Sequence, residues 1–399
     1  MKHKNIAYIH VSRLLSNYRS ILRLTRENAG KIGAKPPRVI AVVKADAYGH
    51  DVAIVSRALG DAGCDFFAVS SEEEAVQLRL LEEQNSRHPA ILVLSRVAPE
   101  NVSDMIKYDI TVALTSEENA LSLAAEARRL GERLRAHVKL DTGMNRVGFD
   151  VREGEEEKIA EEVAALYSDP GLSVDGIFTH FSAADDELMD GCVVPGYDAD
   201  GGYTRMQLRR FCRIVELLRA RGIEPGVVHA ANSAAILCLP EAYFDAVRAG
   251  IILYGLMPDS KNALSGSLSP VMQLTSTVTH LHEVKKGERI SYGAGYVAER
   301  DMLIATIAAG YADGFERAYT GCTVEIGGVR YKQVGRICMD QFMADVTDAP
   351  EGREVRVGDE AVLFGGDGGE SINDLARRAG TINYEVICKV SKRVTRRGV

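Results

Sequence analysis

Through roughly the first 260 residues, apolar runs of strand length alternate with amphipathic stretches. The runs are "RVIAVVK" (38–44), "FFAVSS" (66–71), "AILVLS" (90–95), "ITVAL" (110–114), "RAHVKLD" (135–141), "VDGIFTHF" (174–181), "GVVHAAN" (226–232) and "AVRAGIILYG" (246–255). Each is rich in β-branched or aromatic residues. Most are continuous rather than alternating, as expected of parallel strands buried on both faces. Between them, "SSEEEAVQLRLLEEQ" opens with an acidic turn, which suits a helix start. "MQLRRFCRIVELLRARG" sets Leu208, Phe211, Val215 and Leu218 on one face and closes with Gly222. Eight strands alternating with helices predict an α/β fold, a (β/α)8 TIM barrel over 1–261. The strand count alone leaves a doubly wound open sheet in play.

From "SGSLSPVMQLTSTVTHLHEV" onward the pattern changes to Thr- and Val-rich segments with frequent Gly turns. "VMQLTSTVTHLHEV", "LIATIAAGYADGF", "CTVEIGG" and "EAVLFGGDGG" read as strands and turns. "SINDLARRAG" reads as one short helix with Ser371 as N-cap and Gly380 ending it. A C-terminal mainly β domain is expected over 262–399, with "MPDSKNALSGSLSP" as the link.

Composition narrows the class. A chain of 399 residues exceeds one ordinary domain, and 46% hydrophobic with 26% charged is usual for a globular protein. The net charge of -8 argues against nucleic acid as a partner, and the basic "KRVTRR" reads as a solvated tail. No apolar stretch reaches membrane-spanning length, and "MKHKNIAYIHVSRL" lacks the apolar segment of an export signal. The seven cysteines are odd in number and form no CxxC pair, so reduced, mostly buried thiols in the cytoplasm are expected.

In a barrel, chemistry collects where strands end at the C-terminal rim. The first run ends in Lys44, followed by Tyr48 and His50. The fifth contains Lys139 and leads into "DTGMNRVG" with Arg146; the sixth ends in His180. The seventh leads into Asn232 and Ser233, and the eighth carries Arg248 ahead of Gly250 and Ile251. A partly desolvated Lys44 suits Schiff-base chemistry, although a snorkelling lysine is commoner at a strand end. The small residues of "AANSAA" and "RAGI" suit an anion cradle or plain tight packing. Lysine, cradle and arginine on one rim suggest a class I aldolase or an enzyme using pyridoxal 5'-phosphate (PLP). The residues themselves do not separate the two.

At this point "AVVKADAYGH" resembles the PLP-lysine signature of the alanine racemase family. "VKLDTGMNRVGF", "FTHFSAAD", "HAANSAA", "VRAGIILYGLMP", "ISYGAGY", "GYADGF", "VGRICMDQFMADVTD" and "TINYEVIC" extend the resemblance along nearly the whole chain, in the family's order. It implies a PLP-binding barrel, a C-terminal β domain and a head-to-tail homodimer with shared active sites. Lys44 would hold PLP and act as one proton-transfer base. Tyr292 would be the opposite base, delivered by the partner subunit and oriented by His180. Arg248 would face the pyridine nitrogen. Tyr48, Asn232, Ser233, Gly250, Ile251 and Tyr384 would bind the cofactor, mostly at its phosphate. Arg146 and the backbone at Met339 would receive the substrate carboxylate, with Asp340 nearby. Lys139 matches a position that is carbamylated in many members. Tyr254 and Tyr311 would line the approach, and Cys338 would line the pocket. The implied activity is interconversion of L- and D-alanine for peptidoglycan, without a metal. Serine or a broader range of amino acids is the alternative substrate, and a non-catalytic PLP-binding protein is a further one. An arginine where a strong electron sink wants a carboxylate disfavours a decarboxylase.

Three departures from the family pattern stand out. The segment 184–206 is long and rich in Asp and Gly, and is expected as a surface loop at the entrance or the partner contact. Asp51 stands where glycine is common, and Ala249 where proline is common.

Overall fold

A computed structural model describes residues 5–190, 202–258, 268–366 and 368–399. The first strand, β1 (Ile6–Ile9), precedes a long helix, Val11–Lys31. Eight parallel strands follow: β2 (Arg38–Val42), β3 (Phe66–Val69), β4 (Ala90–Arg96), β5 (Thr111–Leu114), β6 (Leu134–Asp141), β7 (Leu172–Phe178), β8 (Val227–His229) and β9 (Ala246–Ala249). Their order is β5-β4-β3-β2-β9-β8-β7-β6, and β5 pairs with β6. That last pairing closes the barrel and removes the open-sheet alternative. All eight expected strands are present. The eighth is shorter than its apolar run, because Ile251–Tyr254 turns into a 3-10 helix.

Three two-residue strands aside (Phe149–Asp150, Arg289–Ile290 and Tyr296–Val297), the remaining strands are β10 (Met272–Val284), β11 (Met302–Ile307), β12 (Thr323–Ile326), β13 (Val329–Val334), β14 (Phe342–Asp345), β15 (Glu360–Phe364) and β16 (Thr395–Gly398). They form a second sheet in the order β11-β14-β13-β12-β15-β10-β1-β16, with β10 also pairing β11. So β1 belongs to this sheet and not to the barrel, antiparallel to β10 and parallel to β16. Its alternating burial, with Ala7 and Ile9 inside, says that one face is covered but not by which sheet. The helix at Ile372–Ala379 starts after Ser371 and ends at Gly380 in the left-handed region; the Ser371 hydroxyl makes no capping bond.

Helix Tyr203–Ala220 buries Leu208, Phe211, Val215 and Leu218 as its period requires. It begins earlier than expected, because the Glu187 carboxylate accepts from Tyr203 N at 2.6 Å and Thr204 N at 2.7 Å. With Ala184–Asp190 also helical, the expected surface loop is helix at both described ends. Its centre, 191–201, and the link at 259–267 with the expected boundary at 261/262 lie outside the described residues. The thiols are less buried than expected: among the described cysteines all are free, yet only Cys64 and Cys322 are buried and Cys388 is exposed.

Candidate active site

The barrel rim opens on a cavity of about 560 Å³. Lys44 reaches it from an unusual backbone. After β2, residues Ala45, Asp46, Ala47 and Tyr48 all have φ near +53 to +54°, a single turn of left-handed helix. For residues with a Cβ this costs about 1–2 kcal/mol each. The surroundings offset that cost. Glu74 holds the turn by accepting from Ala45 N at 2.6 Å and Ser70 N at 2.8 Å. Asp46 accepts from Val52 N at 2.8 Å. Gly49 sits so close to helix Asn383–Cys388 that a Cβ there would lie 2.6 Å from the Ile387 carbonyl. Asp51, with φ of +70°, keeps the positive angle that favours glycine and adds a helix cap to Ala53 N and Ile54 N.

Burial, then the Arg146 charge, pulls the Lys44 ammonium below the ordinary lysine range; Glu74 and Cys388 oppose this. Arg146 is carried by the loop after β6. There the Asp141 carboxylate accepts from the backbone N–H of Gly143, Asn145, Arg146 and Val147 at 2.8–3.2 Å. Burial would raise Asp141, but these bonds outweigh it and hold the carboxyl low. Lys139, on the same strand, is buried with its amine 5.0 Å from the Phe178 ring centre. Burial, then Arg248 and Arg146, lowers it to about 7.

Arg248 is buried and held by five contacts. Nη1 donates to His229 O and Nδ1, and Nη2 to Thr179 O, Ala230 O and His180 Nδ1. Burial and then Arg146 bring it down to about 9, so it stays a cation at neutral pH. Burial, then the Arg248 charge, keeps His180 neutral. At one wall, Gly250 N donates to Ser233 Oγ at 3.1 Å. A Cβ on Gly250 would stand 2.8 Å from the Tyr48 hydroxyl and 3.6 Å from Ser233 Oγ. Glycine therefore leaves room beside two hydroxyls, and Tyr384 stands with its ring centre 6.2 Å from that of Tyr48.

Lys44, Tyr48, Lys139, Arg146, His180, Asn232, Ser233, Arg248, Gly250, Ile251 and Tyr384 all line this cavity. Tyr254 does not line the approach. It is wholly buried behind Tyr48, ring centres 4.8 Å apart, and donates to Val42 O at 3.0 Å. His50 is likewise turned away, packed against Tyr254. Tyr292, Tyr311 and Met339 lie apart from the cavity, on an exposed face of the second sheet's domain. Two backbone bonds and one side-chain bond tie these segments together: Tyr311 N to Cys338 O at 3.1 Å, Ala312 N to Met339 O at 3.0 Å, and the Ser291 hydroxyl to Arg336 O at 2.7 Å. Cys338 packs there beside Ser291 and not in the cavity, and Asp340 pairs with Arg393 at 2.9 Å. Sequence reasoning missed Glu74, Asp141 and Cys388, the last of which lines the cavity beside Tyr384. Only Asp141 left a local signal, an Asp ahead of a Gly- and Asn-containing turn.

Comparison with known proteins agrees with this fold. The family model for the alanine racemase N-terminal domain matches residues 9–258, and that for the C-terminal domain matches 271–398. An alanine racemase of Desulforamulus reducens is 38% identical over 99% of both chains. Alanine racemase 1 of Bacillus subtilis is 40% identical over 90% of this chain and 85% of its own. The alanine racemase structure from Clostridium difficile 630 superposes with a TM-score of 0.86 at 34% identity, covering 100% of this chain and 96% of that one. The Bacillus anthracis alanine racemase with bound L-Ala-P gives 0.83 at 30% identity, again covering 100% and 96%. With both family models matched in order and full-length relatives well above 30% identity, the chain belongs to the alanine racemase family.

Proposed function

We propose that this chain is a PLP-dependent alanine racemase, interconverting L- and D-alanine in the cytoplasm for peptidoglycan precursors and working as a head-to-tail homodimer. The observation that carries the reading is the meeting, in one cavity, of the Lys44 amine, the Arg248 cation and the hydroxyls around Gly250. The residues present fit PLP: an amine for its aldehyde, Tyr48, Ser233, Tyr384 and Gly250 for its phosphate, and Arg248 for its ring nitrogen, with Asn232 and Ile251 completing the wall. When bound, PLP supplies the electron sink that makes the amino acid's Cα proton removable. The chain divides, on this reading, into a PLP-binding barrel over 1–261 and a mainly β domain over 262–399, with β1 lent to the second sheet.

Racemisation takes a proton from one face of Cα and returns one to the other. Lys44, lowered by burial, has a larger neutral fraction near pH 7 and serves as one base. Tyr292 of the partner subunit serves as the other. Its 68% exposure leaves the phenol free to enter a neighbouring site. Because His180 Nδ1 accepts from Arg248, its proton sits on Nε2, free to point at that phenol. Arg146 holds the substrate carboxylate with its planar fork, joined by the partner's Met339 backbone. Asp340 stands next to that backbone, and Tyr311 narrows the approach. An amine near pKa 7 at Lys139 is suited to carbamylation, which would turn a surplus cation beside Arg248 and Arg146 into an anion.

The test is incubation with L-alanine in heavy water, with and without PLP. D-alanine carrying Cα deuterium, formed only with PLP, is the expected result. Faster turnover of serine would overturn the substrate, and absence of Cα exchange the reaction class.

A further inference from the structure

Arg248 is the upper end of a buried hydrogen-bond chain that the proposed chemistry does not use. A guanidinium only donates. Its Nη1 lies 3.0 Å from His229 Nδ1, so that nitrogen carries no proton. The His229 proton is then on Nε2, which lies 2.9 Å from His137 Nδ1. His137 must accept there and keep its own proton on Nε2, which faces Asp175 Oδ1 at 3.3 Å. A proton on His137 Nδ1 would force His229 to hold one on its own Nδ1, against Arg248. The last contact is poorly aligned for a hydrogen bond, and Asp175 Oδ1 is buried without another partner among the described residues. Asp175 itself is anchored through its other oxygen, which accepts from Arg135 Nη2 at 2.9 Å and Nε at 3.2 Å. A donor-only group at one end and a carboxylate at the other leave a single polarity for both rings.

The interior is shaped around these rings. Phe178 stacks on His229 with ring centres 4.8 Å apart and planes at 7°. Phe66 meets His137 edge-on at 6.1 Å. A Cβ on Gly176 would come within 2.5 Å of the His137 ring, so any side chain there displaces the imidazole. His137 and His229 are buried, 3% and 0% exposed, on neighbouring parts of the barrel interior.

We propose that His137 and Asp175 are positioning residues, which with His229 form a one-way hydrogen-bond relay that fixes how Arg248 presents its guanidinium to the cavity. The inference rests on the racemase reading and deepens it. If His229 loses its partner on the far side, the ring is free to turn and its hold on Arg248 Nη1 slackens. The backbone carbonyls and His180 are then left to orient the guanidinium, and control over where the proton returns weakens. The side reaction then open is transamination, in which the amino group passes from alanine to PLP and leaves pyruvate and pyridoxamine phosphate.

The first test needs no turnover. Full-length protein with 15N-labelled histidine, without added PLP, should show His137 and His229 both neutral with the proton on Nε2. In His137→Phe, the His229 Nε2 proton should lose its acceptor and shift its resonance, while Arg248 still keeps Nδ1 unprotonated. The second test is the ratio of pyruvate formed to racemisation turnovers in the PLP-loaded enzyme. His137→Phe should raise it about tenfold, the worth of one buried hydrogen bond. His137→Gln, which restores an acceptor, should bring it back. Asp175→Asn gives the same reading should His137→Phe not fold, with the His137 Nε2 proton losing its carboxylate partner. A proton on His229 Nδ1 in the unaltered protein overturns the relay. So does a variant that loses racemisation with an unchanged pyruvate ratio. A protein that racemises nothing would sink the functional reading while leaving the tautomer result standing.

Discussion

Lys44 and Tyr292 are proposed to handle protons at the same carbon, yet they stand in opposite surroundings. Lys44 projects from a strained left-handed turn, half-buried, with Glu74, Asp46 and Gly49 all holding its backbone in place. Tyr292 rests on a short turn after Ser291 and is largely exposed, as are Tyr311 and Met339 of the same domain. The barrel completes its share of the cavity within one chain. Apart from Tyr384 and Cys388, which line the same chain's cavity, the β domain presents its share outward, as large side chains such as Tyr292 and Met339. The contrast teaches that the two halves are built for different partners. One is preorganised by its own fold, and the other, on the proposed dimer, would gain its surroundings by association.

Removing the preorganised half should have the largest effect. Lys44→Ala is expected to lower racemisation about 10⁴-fold, the upper range for a general base, and to abolish borohydride-trapped PLP. Tyr292→Phe should cost about 10²–10³-fold, with Cα exchange surviving from one enantiomer only, since one base remains. Mixing these two inactive variants sharpens the comparison. In a head-to-tail dimer, half the randomly assembled pairs regain one intact site, so activity should return to about one quarter. No recovery would place both groups in one chain.

Smaller effects probe the supports. Glu74→Gln leaves one acceptor for two backbone N–H groups, and should weaken PLP binding roughly tenfold, measured by fluorescence titration. Lys139 offers a pH signature. Its folded value, about 7, lies below the ordinary lysine range, so between the two the unfolded chain holds a proton that the folded chain has released. Stability should therefore rise with pH across that window. Urea unfolding of Lys139→Met should lack that part of the rise; equal slopes in the two proteins would speak for an already carbamylated Lys139.

The sequence by itself determined the eight barrel strands, the change to a β domain and most of the rim chemistry. Continuous apolar runs report burial on both faces, and in a parallel barrel every strand's C-terminal end converges on one rim, so Lys44, Arg146, His180, Ser233 and Arg248 meet without further information. Tyr292 was legible only through family resemblance, because an exposed tyrosine on a turn has no local pattern of its own. Tertiary structure alone decided which sheet β1 joins, that Tyr254 lies behind Tyr48, and that Asp175, His137 and His229 line up beneath Arg248. The reason is physical: periodicity records how much of a segment is buried, whereas these outcomes depend on what it is buried against, through hydrogen bonds and ring contacts between residues far apart in the chain.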